Sequence, residues 1–140
     1  MASMPFAVAI GTEPLIPVLS SAAVPAGVDE ADIIGAIKGE PIDIVKCVSS
    51  ALTDPAASEI VIEGVVPPYE RREEGPFGEY SGYQTQVRHM NPIYKVSAIT
   101  HRNDPILPVV CPGGPAQVLK ISWGFMLAAN ILAFLRNLGY

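Results

Sequence analysis

Basic residues are scarce in this sequence: nine Lys and Arg stand against fourteen Asp and Glu in 140 residues, for a net charge of −5. No basic stripe exists to neutralise a phosphate backbone, which argues against nucleic acid as a partner. Cysteine is scarcer still. Cys47 and Cys111 lie 64 positions apart and form neither a CxxC nor a Cys/His spacing, so neither a disulfide framework nor a thiolate metal site is indicated. A reduced, cytoplasmic setting follows as the expectation. The opening Met1-Ala2-Ser3-Met4 has no basic region leading into a long apolar run, so no secretory signal is read. Repeats and low-complexity segments are absent. Asp and Glu disappear after Asp104, and the last quarter of the chain offers no side-chain carboxylate for catalysis or metal binding.

Apolar residues are plentiful, at 49%, and only 16% of residues are charged. This is one domain's worth of chain with enough apolar surface for a real core, and surface left over to cover. Fourteen prolines and twelve glycines punctuate short β-like runs at 6–10, 42–48, 60–66 and 93–99, the last two rich in β-branched residues. A run at 106–111 is interrupted by Pro108 and reads as an edge strand. Short strands between frequent turns favour a compact antiparallel barrel or sandwich over a parallel sheet.

Helices are read in three places. Asp29 is a good N-cap, Asp32 follows three residues on, Ile33, Ile34 and Ile37 mark a face, and Gly39 stops the helix. A short helix over 15–23 is weakened by Pro14 and Pro17. The third runs over 122–138, with Ser122 as its cap and Gly139 as its stop. It is apolar nearly all round. Its uncharged run from 121 to 135 is about 22 Å long at 1.5 Å per residue. That is short for a bilayer core of about 30 Å, so a membrane is not the expected partner despite the flanking Lys120 and Arg136. Burial between domains or subunits is the expected role.

The most informative stretch is Glu74-Gly75-Pro76-Phe77-Gly78-Glu79, followed by Tyr80-Ser81-Gly82-Tyr83. Proline and two glycines shape a loop, and two carboxylates five positions apart flank it. Such a pair suits acid/base chemistry when burial or a charged neighbour keeps one member protonated. Read without further context, it is more readily a charged surface turn, since Glu70, Arg71, Arg72 and Glu73 precede it.

With EIVIEG at 59–64, EGPFGEYSGY at 74–83, AITHRNDPI at 98–106 and GEPIDIVKC at 39–47, the chain resembles the UbiD family of decarboxylases from about Pro5 to Pro112. The resemblance implies an α+β fold built on a split β-barrel of the flavin-reductase-like kind with flanking helices. It also implies a domain over 1–112, followed by a linker and apolar helix over 113–140. The implied activity is non-oxidative decarboxylation of aromatic, heteroaromatic or α,β-unsaturated carboxylic acids with prenylated FMN. Glu79 would return the proton after carbon dioxide leaves, and Glu74 would hold a catalytic arginine.

Glu30 would be one ligand of a divalent metal, manganese or magnesium, that binds the flavin phosphate; potassium is a further implied ion. Acidic residues in a first helical turn are also favoured by the helix dipole alone. The family's arginine and its asparagine and histidine metal ligands fall before the matched stretch, so other segments would supply them. Arg71, Arg72 and Arg102 are all candidates to pair with Glu74, and His101 reads as structural. A flavin prenyltransferase would supply the cofactor, and a homo-oligomer or a complex with other UbiD-type segments is expected. The alternative is a catalytically incomplete structural or assembly module of the same fold.

Overall fold

The computed structural model describes residues 2–20, 24, 27–78, 83–84, 87–109 and 118–139, with backbone alone at 118–123 and 126. Two compact units result, one of Met1–Glu74 with His89–Val109 and one of Gly75–Arg88 with Val110–Tyr140.

The first unit is organised by β4 (Ile60–Val66), which lies between β1 (Met4–Ile10) and β7 (Lys95–His101) in an antiparallel sheet. Its β-branched residues suit a pleated, half-buried surface. Phe6 pairs with Gly64 and Ile10 with Ile60, while Ile62 pairs with Ile99. Between Glu63 and Gly64 the register with β7 shifts, leaving Ser97 as the extra residue of a bulge. Only glycine fits at 64. A Cβ there would collide with the Lys95 carbonyl and lie 2.8 Å from the Phe6 ring. Phe6, 9% exposed, packs edge-on against Tyr94 with ring centroids 4.9 Å apart.

The other face of β4 carries Glu63, and the chain between β2 (Ile44–Lys46) and β3 (Thr53–Pro55) closes over it. The β-run expected over 42–48 is therefore a three-residue strand in a hairpin. Val48 and Ser49 leave the ladder, and their N–H groups bond to Glu63.

Helix α2 (Glu30–Lys38) forms as its sequence dictates. The Asp29 side chain accepts from Ala31 N at 2.8 Å, and Gly39, at φ 78°, ends it. Of the three isoleucines expected on one face, Ile34 is 2% exposed but Ile37 is 59% exposed. Burying Ile34 stabilises by about 1.5–3 kcal/mol. The short helix α1 (Leu15–Leu19) packs on α2, and Lys38 in the last turn of α2 bonds to Glu13 at 2.7 Å. The part of the expected helix beyond Ser20 falls at residues 21–23, outside those described.

Two expectations change in the β-region. Of the run expected over 106–111, residues 106–109 are not a strand and 110–111 lie outside those described: prolines at 105 and 108 remove ladder donors, and Ile106 N bonds instead to the Glu59 carboxylate at 3.1 Å. The run expected over 93–99 begins two residues late, as β7, and Ile93 and Tyr94 separate it from an unexpected strand, β6 (His89–Pro92). The new strand β6 pairs with β5 (Arg71–Glu74), the charged run that composition marked as solvated. All four residues of β5 are indeed exposed, so hydrogen bonding rather than burial makes it a strand.

In the second unit, α3 runs over Val118–Asn137 and begins four residues before the expected cap at Ser122. Gly139 N bonds to Arg136 O at its end. Phe125, Leu127, Ile131, Leu132, Phe134 and Leu138 are all at least half exposed. No helix among the described residues is long and apolar enough to cross a membrane. The sheets among the described residues are antiparallel and open, giving a mixed α/β fold without a closed barrel.

Candidate active site

The β5–β6 ribbon presents the first of the expected carboxylates. Glu74 pairs with His89 and Arg72 with Asn91, and side chains alternate along a strand. Arg72, Glu74, His89 and Asn91 therefore share one face. Across it, the Asn91 Nδ2 donates to Glu74 Oε2 in a short hydrogen bond. A carboxylate only accepts, so the amide nitrogen, not its oxygen, must face Glu74. At the other end of β5, the Lys95 ammonium meets Glu70 at 2.8 Å and links the ribbon to β7.

Gly75 follows Glu74 with φ 89°, a backbone conformation that a side chain would oppose, and the Gly75–Pro76 peptide is cis. Gly78 bridges Gln84 in an antiparallel pair. Glu79, the expected proton donor, lies outside the described residues.

The structure separates the three arginines weighed as partners of Glu74. Arg102 faces Glu59 at 3.4 Å, and Arg71 bonds to the Glu70 carbonyl at 2.8 Å. Arg72 alone shares the face of Glu74. His101 donates from Nδ1 to the Arg102 carbonyl at 2.6 Å, a local structural contact.

Glu30 is the first residue of α2 and is half-buried. Nothing among the described residues joins it to Glu74. No three His, Cys, Asp or Glu side chains among the described residues cluster closely enough to hold a metal ion. Glu30 fits as one oxygen ligand, and a divalent cation needs several more. A groove of about 550 Å³ opens beside α2, lined by Ala31, Asp32, Gly35, Gly39, Pro41 and Ile44 among others. Its lining carries no cationic side chain to hold a phosphate, and Glu30 is not part of it.

Two buried polar contacts went unforeseen in the sequence. Glu63 is 1% exposed and accepts from Val48 N, Ser49 N and Ser49 Oγ at 2.9, 2.7 and 2.6 Å. The Ser49 hydroxyl above all, helped by the two N–H groups, holds its carboxyl below the usual range against the opposing effect of burial. Nearby, the Cys47 thiol donates to Asp54 at 3.1 Å, and burial, then Asp54, push it up. The available signal for the first was a lone carboxylate inside the run Ile60–Val66. Asn91 had none, because its role depends on register.

Residues 1–115 match the family described as 3-octaprenyl-4-hydroxybenzoate carboxy-lyase Rift-related domain. The chain is 37% identical over 135 residues to pyrrole-2-carboxylic acid decarboxylase of Pseudomonas aeruginosa, covering 96% of this chain and 27% of that protein. It is 43% identical over 111 residues to ferulic acid decarboxylase 1 of Saccharomyces cerevisiae, covering 79% of this chain and 22% of the relative. In structure it resembles the UbiD-class enzyme HmfF from Pelotomaculum thermopropionicum in complex with FMN. That match has a TM-score of 0.75 and 38% identity, over 80% of this chain and 25% of the other. The open form of vanillic acid decarboxylase from Sedimentibacter hydroxybenzoicus matches with a TM-score of 0.78 at 35% identity, over 86% of this chain and 26% of that one. The chain thus spans about a quarter of the length of these relatives. The matched span and these identities show that the chain belongs to the UbiD family.

Proposed function

We propose that this chain supplies the glutamate loop of a non-oxidative decarboxylase acting on an aromatic, heteroaromatic or α,β-unsaturated carboxylic acid. The observation that carries the reading is the Glu74–Glu79 loop within a chain 37% identical to pyrrole-2-carboxylic acid decarboxylase. Relatives in complex with FMN and prFMN support prenylated FMN as the cofactor. Bound, it supplies the electron acceptor that loss of carbon dioxide requires. In the reaction a carbon–carbon bond breaks, carbon dioxide leaves, and the Glu79 carboxyl gives its proton to the carbon left behind. Glu74 holds a guanidinium beside the substrate. Glu30 contributes one ligand to a manganese or magnesium ion, with potassium as a further ion and the remaining ligands supplied by other segments.

In this reading the open sheets described above are part of a split barrel over 1–112, and residues 113–140 form a linker and docking helix. The exposed apolar side chains of α3 are covered by other UbiD-type segments or by a second subunit. The protein works in the cytoplasm, where a flavin prenyltransferase delivers its cofactor. A second reading, a non-catalytic assembly module, rests on the exposed apolar side chains of α3, which suit a docking surface.

Co-expression with a flavin prenyltransferase decides between them. Bound flavin, bound manganese lost in Glu30→Gln, and carbon dioxide release from cinnamate-like, pyrrole-2-carboxylate or hydroxybenzoate-like acids support the enzyme. A colourless, metal-free and inactive protein, even when joined to the segments that complete the family site, supports the module.

A further inference from the structure

Asn91 is the one residue of β6 that is not exposed, and it is held against a carboxylate to which the decarboxylase reading gives a role. It lies diagonally across the ribbon from Glu74, with Arg72 directly opposite it and His89 opposite Glu74. Diagonal neighbours on one face are within reach of side chains of this length.

We propose that Asn91 is a positioning residue that fixes the rotation of the Glu74 carboxylate, leaving Oε1 free to take a guanidinium while Oε2 is held by the Asn91 amide. The chemistry is specific to that pair. An unrestrained glutamate on an exposed strand rotates about its terminal bond at little cost. A single N–H donor on Oε2 removes that freedom and sets the plane in which Oε1 meets a planar, forked partner. An amide donor does so without adding a charge that would compete with the arginine. Arg72 and His89 are the charged or titratable side chains sharing this face, and of the three neighbours it is the Asn91 amide that bonds to the Glu74 carboxylate. Sequence spacing hides the link, since 17 residues separate Asn91 from Glu74.

This inference rests on the decarboxylase reading, and its test separates the two. The holoenzyme containing this chain, loaded with prenylated FMN, is assayed as wild type, Glu74→Gln, Asn91→Asp and Asn91→Leu. Asn91→Asp keeps the size but removes the donor and adds a negative charge, whereas Asn91→Leu removes the donor without adding charge. Both Asn91 variants are expected to lose about tenfold in kcat, the scale of one hydrogen bond to a charged acceptor, with KM and flavin content unchanged. Glu74→Gln is expected to lose more. Normal kcat in both Asn91 variants beside an inactive Glu74→Gln overturns the role of Asn91 and leaves the reading intact. Full turnover in Glu74→Gln overturns the reading and the role together.

A second measurement needs no turnover. The side-chain amide protons of Asn91, followed by nitrogen–proton NMR in the 140-residue chain, are expected to shift when Glu74→Leu removes the acceptor. An unmoved pair of resonances overturns the proposal.

Discussion

Glu63 Oε2 accepts twice from Ser49, from its N–H at 2.7 Å and from its Oγ at 2.6 Å, while Oε1 takes the Val48 N–H at 2.9 Å. A fully covered carboxylate on the central strand thereby holds the β2–β3 connection against the sheet. Replacing it with Leu leaves two backbone N–H groups and a hydroxyl without their acceptor, a costly outcome under cover. Glu63→Leu is expected to lower Tm by more than about 5 °C, and Glu63→Gln, which keeps one acceptor, by less. Thermal unfolding followed by circular dichroism checks the order.

The same carboxylate gives a pH dependence with a definite sign. Its folded-state pKa is lowered, chiefly by the Ser49 hydroxyl. The unfolded chain therefore binds a proton more readily, and the stability Glu63 contributes is fully present above the ordinary glutamate range. It is lost as pH falls through the lowered folded value. Denaturant midpoints measured from pH 7 downward should fall more steeply in the wild type than in Glu63→Gln.

Cys47 is 8% exposed, and its thiol is pushed up by burial and by Asp54. Thiolate is the reactive form, so Cys47 should be nearly inert to a thiol reagent at pH 7. In a Cys111→Ser background, labelling followed by mass spectrometry should be at least about tenfold slower in native buffer than in denaturant. Asp54→Asn should leave native labelling slow, because burial is the larger cause.

Gly64 tests the packing of the sheet. The collision of an added Cβ with the Lys95 carbonyl has no flexible side chain to relieve it. Gly64→Ala is expected to cost about 1–3 kcal/mol, read from the urea midpoint, with the loss centred on the β4–β7 pairing. Gly78→Ala, where nothing among the described residues lies within 4 Å of the added atom, is the control and should be close to neutral.

Where local chemistry decides structure, the sequence was readable. Asp29 and Gly39 bound α2, and the β-branched run at Ile60–Val66 is β4 residue for residue. Where pairing decides, it was not. Arg71–Glu74 has the composition of a solvated run and becomes a strand only because His89–Pro92 lies beside it. Residues 106–109 have the composition of a strand, but proline removes donors and Glu59 captures the Ile106 N–H. Ser122 is a plausible cap in isolation, yet the helix begins at Val118. At the site, the residue types of the glutamate loop were visible, and their partners were not. Arg102 goes to Glu59 and Asn91 to Glu74 through contacts that span tens of positions or depend on strand register.

The glutamate loop is the centre of the account, and its proton donor offers the most direct test. Glu79→Gln in the complete flavin-loaded enzyme keeps the size of the side chain and removes the transferable proton. Carbon dioxide release should fall by at least about a hundredfold, the low end of what a positioned general acid contributes. The flavin spectrum and metal content should match those of the wild type. Turnover close to wild type in a correctly loaded Glu79→Gln enzyme would contradict the assignment of this loop as the acid of a decarboxylase.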